Sequence, residues 1–252
     1  MARRFGVAGW PVAHSRSPAM FRAAFEATKL EDHRYQHLPI PPHLFEETVK
    51  ALPGAGFSGV NVTIPHKEAA LAASDIATQT AREIGAANTL TFTEDGTIDA
   101  DNTDAPGFIA ALGAVPGTAL VLGAGGSARA VVWALRRAGA EVSVLARTPE
   151  RARGWDATVV DDVVEAECLV NCTPLGMKPG EEVEVDPSGF EVVVDLVYRD
   201  GPTALIERAE RAGARTVDGL EILVRQGALS FQRWTGIDPP LDAMRRGAGA
   251  VH

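Results

Sequence analysis

A chain of 252 residues, 46% hydrophobic and 23% charged, is long enough for one large domain or two modest ones. Its formal net charge of −9 argues against nucleic acid as a partner and requires any anion site to be locally positive. No run of about eighteen uncharged apolar residues and no signal-peptide core occur, and the two cysteines, Cys168 and Cys172, are too few for a disulfide scaffold, so a cytoplasmic enzyme without a membrane span is expected.

Residues 5–9 read as a strand, followed by a helix that Ser17 caps and Pro18 opens. A strand at 34–38, a helix at 44–52 and a strand at 59–64 follow, the last stopped by Pro65. Residues 67–73 and 78–84 read as helices, and 88–93 with 97–101 as a hairpin across Glu94-Asp95-Gly96. A helix near 106–112 opens a β-α-β-α pattern, with strands at 119–122 and 141–145 around a helix at 128–138. Residues 149–153 form a short helix and 157–160 a short strand. The apolar runs 168–171 and 192–195 suit strands covered on both sheet faces. A helix at 203–212, a strand at 215–217 and an amphipathic helix at 219–235 close the pattern. The fold class is α/β with two units, a Rossmann-like unit and a smaller α/β unit, and the cleft between them is the expected substrate site. Periodicity alone leaves open which unit the final helices join.

The strongest local signal is Gly123-Ala124-Gly125-Gly126-Ser127-Ala128, which fits G-x-G-x-x-G/A between a strand and a helix. Such a turn aims helix N-terminal amides at a pyrophosphate. An NAD site places Asp or Glu about twenty residues on. Here Ala146 and Arg147 stand there, with Thr148 and Arg151 beyond. A carboxylate would repel a 2′-phosphate, whereas a guanidinium clasps it with paired hydrogen bonds, so the expected cofactor is NADP and the expected chemistry hydride transfer. A solvated basic edge is the bland reading of Arg147 and Arg151.

Three further motifs are candidates. Ser15-Arg16-Ser17-Pro18 offers two hydroxyls and helix amides to a small carboxylate, although simple capping by Ser17, with Ser15 idle, accounts for the motif alone. Asn61-Val62-Thr63-Ile64-Pro65-His66-Lys67 puts Asn61 and Thr63 on one strand face and Lys67 at a helix start. A lysine there opposes the helix dipole, a local misfit of the kind found at functional sites, with a solvated turn lysine as the alternative. Asn102-Thr103-Asp104 lies between the two units, where Asp104 reads either as a partner for Lys67 or as a helix cap. No metal site is expected.

Taken in order, these motifs resemble the shikimate dehydrogenase family. The resemblance is carried also by Gly85-Ala86-Ala87-Asn88-Thr89, Arg147-Thr148-Pro149-Glu150-Arg151, Asn171-Cys172-Thr173-Pro174-Leu175-Gly176-Met177, Asp195-Leu196-Val197-Tyr198 and the block from Asp218-Gly219 to Gln226. It implies that Ser15 and Ser17 hold a substrate carboxylate. It implies that Asn61, Thr63, Asn88, Asp104 and Gln226 hold ring hydroxyls and that Tyr198 lines the pocket. Lys67 would be the acid–base residue with Asp104 beside it. Arg147, Thr148 and Arg151 would hold the 2′-phosphate, with Thr173, Met177 and Gly219 on the cofactor. The resemblance also makes the substrate domain discontinuous, 1–103 with 220–252, around an NADP domain at 104–219. The substrate would be shikimate or 3-dehydroshikimate, bound by a monomer or homodimer. Rival readings are a quinate or dual quinate/shikimate dehydrogenase, a methylenetetrahydrofolate dehydrogenase and a non-catalytic NADP sensor. Two departures stand out: Ala146 where the family commonly has Asn, and Asp101 where it often has Gly.

Overall fold

The computed structural model describes residues 2–178 and 180–249. Its contacts divide the chain into two compact units, Met1–Thr103 with Leu223–His252, and Asp104–Ile222.

The first unit holds β1 (Arg4–Gly9), α1 (Ser17–Ala27), β2 (Arg34–Pro39), α2 (Phe45–Ala51), β3 (Phe57–Val62), α3 (Lys67–Ala72), β4 (Ile76–Ala77), α4 (Gln79–Ile84), β5 (Thr89–Phe92) and β6 (Ile98–Asp101). The strands form one sheet of order β2-β1-β3-β5-β6-β4. β1 runs parallel to β2 and β3, and β5 runs antiparallel to β3 and β6. The predicted hairpin is the β5–β6 pair, with Thr89 opposite Asp101 and Phe92 opposite Ile98. β4 was not anticipated: two residues are too short to display a period of two.

The second unit holds α5 (Asp104–Leu112), β7 (Thr118–Leu122), α6 (Gly126–Arg137), β8 (Glu141–Leu145), β9 (Thr158–Val160), β10 (Cys168–Asn171), β11 (Val192–Asp195), α7 (Ala204–Arg211) and β12 (Arg215–Val217). Its sheet order is β12-β11-β10-β7-β8-β9, and every pair is parallel. Read from β9, this is the 3-2-1-4-5-6 order of a doubly wound dinucleotide fold, in which ligands bind at the strand C-termini where the order reverses. Here the reversal lies between β7 and β10. All four residues of β10 are buried, as the apolar run required.

The chain continues through α8 (Gly219–Thr235) and α9 (Leu241–Ala248). In the first unit, the later part of α8 is anchored by aromatic packing: Trp234 stacks on Phe5 with centroids 4.8 Å apart, and Phe231 lies 5.9 Å from Phe25. Phe21 stacks on Tyr35 at 4.2 Å. Phe5, Phe21 and Phe231 are fully buried, and each such ring contributes about 1.5–3 kcal/mol. The indole of Trp234 donates to the Leu90 carbonyl at 3.2 Å, fixing α8 against β5. α9 packs tightly on α1. A Cβ on Gly247 would stand 2.7 Å from Ala23 Cβ and 2.8 Å from the Ala19 carbonyl oxygen, so that position has no room for a side chain.

Candidate active site

In the first unit, the serine motif begins α1, but not as the sequence suggested. The N-cap is Arg16, and no side chain caps the helix there. Ser17 is instead the first helical residue. Its amide donates to Ser15 Oγ at 3.3 Å, and the Ser15 hydroxyl donates to Ser17 Oγ at 3.2 Å. Ser15 is therefore engaged rather than idle: two residues ahead, it accepts from the amide of the first helical residue. The loop is held from two sides. His37 Nε2 donates to the Ser15 carbonyl at 2.9 Å, and Arg16 Nη1 donates to the Ala248 carbonyl at the end of α9, also at 2.9 Å.

Lys67 is the first residue of α3 and is only 8% exposed, which removes the solvated-turn reading. Its neighbour His66 is buried, stacks on Phe45 at 4.3 Å and donates from Nε2 to the Ile40 carbonyl at 2.7 Å. That burial holds the His66 imidazole below its ordinary pKa. The Lys67 carbonyl accepts from the Ala87 amide at 2.8 Å, which ties the helix start to the segment that carries Asn88.

Asn61, Asn88 and Gln226 belong to one buried polar network. Asn88 Nδ2 donates to Thr103 Oγ1 at 3.0 Å and to Gln226 Oε1 at 3.2 Å. Asn88 Oδ1 accepts from the Thr103 amide at 2.7 Å. Asn61 Nδ2 donates to Ser230 Oγ at 2.8 Å and to Thr89 Oγ1 at 3.1 Å, and Asn61 Oδ1 accepts from the Tyr35 hydroxyl at 2.9 Å. Both amide hydrogens of Asn61 are thus directed at protein oxygens, leaving it an acceptor lone pair for any ligand. Thr63 lies one residue past the end of β3, and its amide still donates to the Ala8 carbonyl of β1 at 2.8 Å. Asp101 does not add an unbalanced charge. Its carboxylate accepts from Arg233 Nη1 at 3.1 Å and Thr78 Oγ1 at 2.7 Å, and Arg233 Nη2 also binds Asp99 at 2.7 Å.

In the second unit, Asp104 opens α5 as its first residue. Gly123 follows β7 with φ +104°, in the left-handed region that glycine alone adopts without cost, and its amide donates to the Leu145 carbonyl at 2.8 Å. A Cβ there would lie 3.1 Å from Thr173 Cγ2, so the loops after β7 and β10 meet at the topological switch. Gly125 caps α6 with no side-chain hydrogen bond, and a Cβ on it would meet nothing within 4 Å. Open space before an uncapped first turn of amides suits a pyrophosphate. Arg147, Thr148 and Arg151 are exposed just beyond β8, where a 2′-phosphate calls for cations. Gly219 opens α8, where a Cβ would clash with the Leu196 and Val197 carbonyls at 2.6 Å. Met177 is 39% exposed and Tyr198 half-buried. The residues present fit an NADP group. Among the described residues no cluster of three or more metal-ligating side chains occurs, and no helix is long and apolar enough to cross a membrane.

The sequence reading missed the hydroxyls that organise the amides: Thr89, Thr103 and Ser230. Ser230 follows Gln226 by four residues on α8, hence on the same helix face, and a second polar residue there was the available signal.

The second unit has the build of a Rossmann dinucleotide-binding dehydrogenase unit. Comparison with known proteins narrows this. Residues 7–90 match the family described as "Shikimate dehydrogenase substrate binding domain", and residues 219–246 match "Shikimate 5'-dehydrogenase C-terminal domain". A shikimate dehydrogenase (NADP(+)) of Methanocella arvoryzae is 42% identical, covering 97% of both chains, and one of Roseobacter denitrificans is 43% identical, covering 96% of both. Among solved structures, shikimate 5-dehydrogenase of Thermus thermophilus in complex with NADP(H) and shikimate is 42% identical, with a TM-score of 0.90 and 98% coverage of both chains. A 5-ketofructose reductase of Gluconobacter superposes with a TM-score of 0.85 at 27% identity, covering 100% of this chain and 99% of that one. The chain belongs to the shikimate dehydrogenase family.

Proposed function

We propose that this chain catalyses the reversible NADP-dependent interconversion of 3-dehydroshikimate and shikimate, with residues 1–103 and 220–252 as the substrate domain and 104–219 as the NADP domain. The observation that carries the reading is the burial of Lys67, 8% exposed at the head of a helix, in a chain 42% identical over its length to shikimate dehydrogenases. An ammonium at a helix start opposes the helix dipole, a local misfit of the kind found at functional sites.

In this reading Ser15 and Ser17 take the ring carboxylate. Asn61 accepts from a ring hydroxyl, and Thr63, Asn88 and Gln226 complete the hydroxyl contacts beside Tyr198. When bound, NADP supplies or takes up the hydride exchanged at the ring carbon. Ser127 and the amides of Ala124, Gly125, Gly126 and Ala128 cradle its pyrophosphate, Gly123 supplies the turn that brings them to it, and Arg147, Thr148 and Arg151 hold its 2′-phosphate. Thr173, Met177 and Gly219 flank the nicotinamide end. Negative charge builds on the C3 oxygen during reduction, and Lys67 Nζ donates a proton to it while Asp104 orients the ammonium. In the oxidative direction the amine accepts that proton, so turnover rises with pH.

The test follows absorbance at the reduced-nicotinamide band with shikimate, quinate and methylenetetrahydrofolate, each with NADP or NAD. Turnover with shikimate and NADP above all other pairs is the expected result. Preference for quinate, or for NAD, would replace the reading with that activity, and no turnover with any pair would favour a nucleotide sensor.

A further inference from the structure

One fully buried carboxylate in the second unit governs two loops at once. Asp195 ends β11 and is 0% exposed. Its Oδ1 accepts from Asn171 Nδ2 at 2.8 Å and from the Val197 amide at 3.0 Å, and its Oδ2 accepts from Thr203 Oγ1 at 2.6 Å. Asn171 ends β10 and is equally buried. Asn171 Nδ2 also donates to the Leu175 carbonyl at 3.2 Å. Its Oδ1 accepts from the Thr173 amide at 3.0 Å and the Thr173 hydroxyl at 2.7 Å. A single chain of hydrogen bonds therefore runs from Asp195 through Asn171 to the backbone of the 173–175 turn. A second bond holds the backbone at Val197, one residue before Tyr198.

These bonds are not needed to join the strands. β10 and β11 are already paired from Cys168 opposite Val192 to Asn171 opposite Asp195. Burial pushes the Asp195 carboxyl above the usual carboxylate range, while its three hydrogen bonds oppose that shift. An apolar residue would fill the space without that penalty. What the carboxylate adds is direction. It fixes which face Asn171 turns to the loop, and so where Thr173 stands against Gly123 at the fold's switch point, where a Gly123 Cβ would lie 3.1 Å from Thr173 Cγ2.

We propose that Asp195 is a positioning residue. Acting through Asn171 and the Val197 amide, it sets the 173–177 turn at the nicotinamide end of NADP and the Tyr198 segment beside the substrate, without touching either ligand. This rests on the assignment of Thr173, Met177 and Tyr198 under the proposed function.

The experiment uses the full chain and two ligands that share the adenosine end but differ at the other. Dissociation constants for NADP(+) and for adenosine 2′,5′-bisphosphate are measured for wild type, Asp195→Ala and Asp195→Asn, alongside kcat and KM for shikimate. Losing the network weakens NADP(+) by about tenfold in the alanine variant, the scale of one buried hydrogen bond. The kcat falls by about ten- to a hundredfold through misplacement of the reacting ends. The bisphosphate stays within about twofold of wild type. Asp195→Asn keeps an acceptor for Asn171 and Val197 and recovers most of both quantities. Equal weakening of both ligands, or no change in either ligand or in kcat, would overturn the proposal. If Asp195→Ala does not fold, Thr203→Val, which removes only the bond to Oδ2 and the helix cap, gives the same selective loss at smaller size, and a uniform loss there overturns it. Failure of the underlying assignment shows separately, in a wild-type chain that binds neither ligand or does not oxidise shikimate.

Discussion

Asn61 Nδ2 and Ser230 Oγ lie 2.8 Å apart although 169 positions separate them in the chain. This bond joins β3 to α8 inside the first unit and decides how the Asn61 amide is turned. Removing the Ser230 hydroxyl takes one of three acceptors from Asn61 and a buried partner from Thr89 Oγ1 at 2.9 Å and Thr103 Oγ1 at 3.3 Å, at a cost of about 1–3 kcal/mol. Ser230→Ala should therefore lower the stability of the first unit by that order in denaturant unfolding. A change below about half a kcal/mol would mean that the Thr89 hydroxyl and the Asn88 carbonyl satisfy the Asn61 amide without Ser230.

Lys67→Ala is expected to lower kcat by about a hundred- to ten-thousandfold, the scale of a positioned acid–base group, with a much smaller effect on substrate binding. Steady-state kinetics with shikimate and NADP measure both. Near-normal kcat would exclude Lys67 from proton transfer.

Arg147→Asp places a carboxylate where a guanidinium is expected to meet the 2′-phosphate. NADP should lose far more kcat/KM than NAD, so the NADP/NAD ratio of that parameter should collapse. An unchanged ratio would move the phosphate contact elsewhere.

The buried His66 makes stability depend on pH in a defined direction. Its folded pKa lies below 6.5, chiefly through desolvation. The unfolded chain thus takes up the proton first as pH falls, so the contribution is complete above about 6.5 and is lost progressively below it. His14 and His33 are lowered as well and share the sign. His66→Phe should preserve the packing against Phe45, cost some stability at neutral pH, and flatten the fall in denaturant midpoint between about pH 7.5 and 5. An unaltered slope would assign the whole effect to the other two histidines.

The dinucleotide loop was readable because its requirements are local: Gly123 must reach φ +104°, Gly125 must leave space, and β7 and α6 must flank them. Arg147 stands exposed just past β8, where counting along the chain from the glycine turn puts it. Ser17 does not cap α1 because the helix begins one residue earlier than the Ser-Pro pattern implies, so that Arg16 takes the N-cap and Ser17 is already helical. The amide network was illegible except through its asparagines. Thr89 and Thr103 look like ordinary strand and loop residues until folding brings their hydroxyls 3.1 Å from each other and 2.9 and 3.3 Å from Ser230, more than a hundred residues away. The charge on Asp101 is balanced only in the fold, since its cation, Arg233, comes from a distant helix.

The seam between α1 and α9 carries a lesson for how this chain can change. Because Gly247 abuts Ala23 and the Ala19 backbone, neither helix can gain bulk unless the other recedes. Drift at positions 19, 23 and 247 must therefore be concerted, and a library that randomises one helix alone should return the parental small residues. Since Arg16 grips the carbonyl next to that glycine, neutral-looking variation in the last helix is coupled to the serine pair more than two hundred residues upstream.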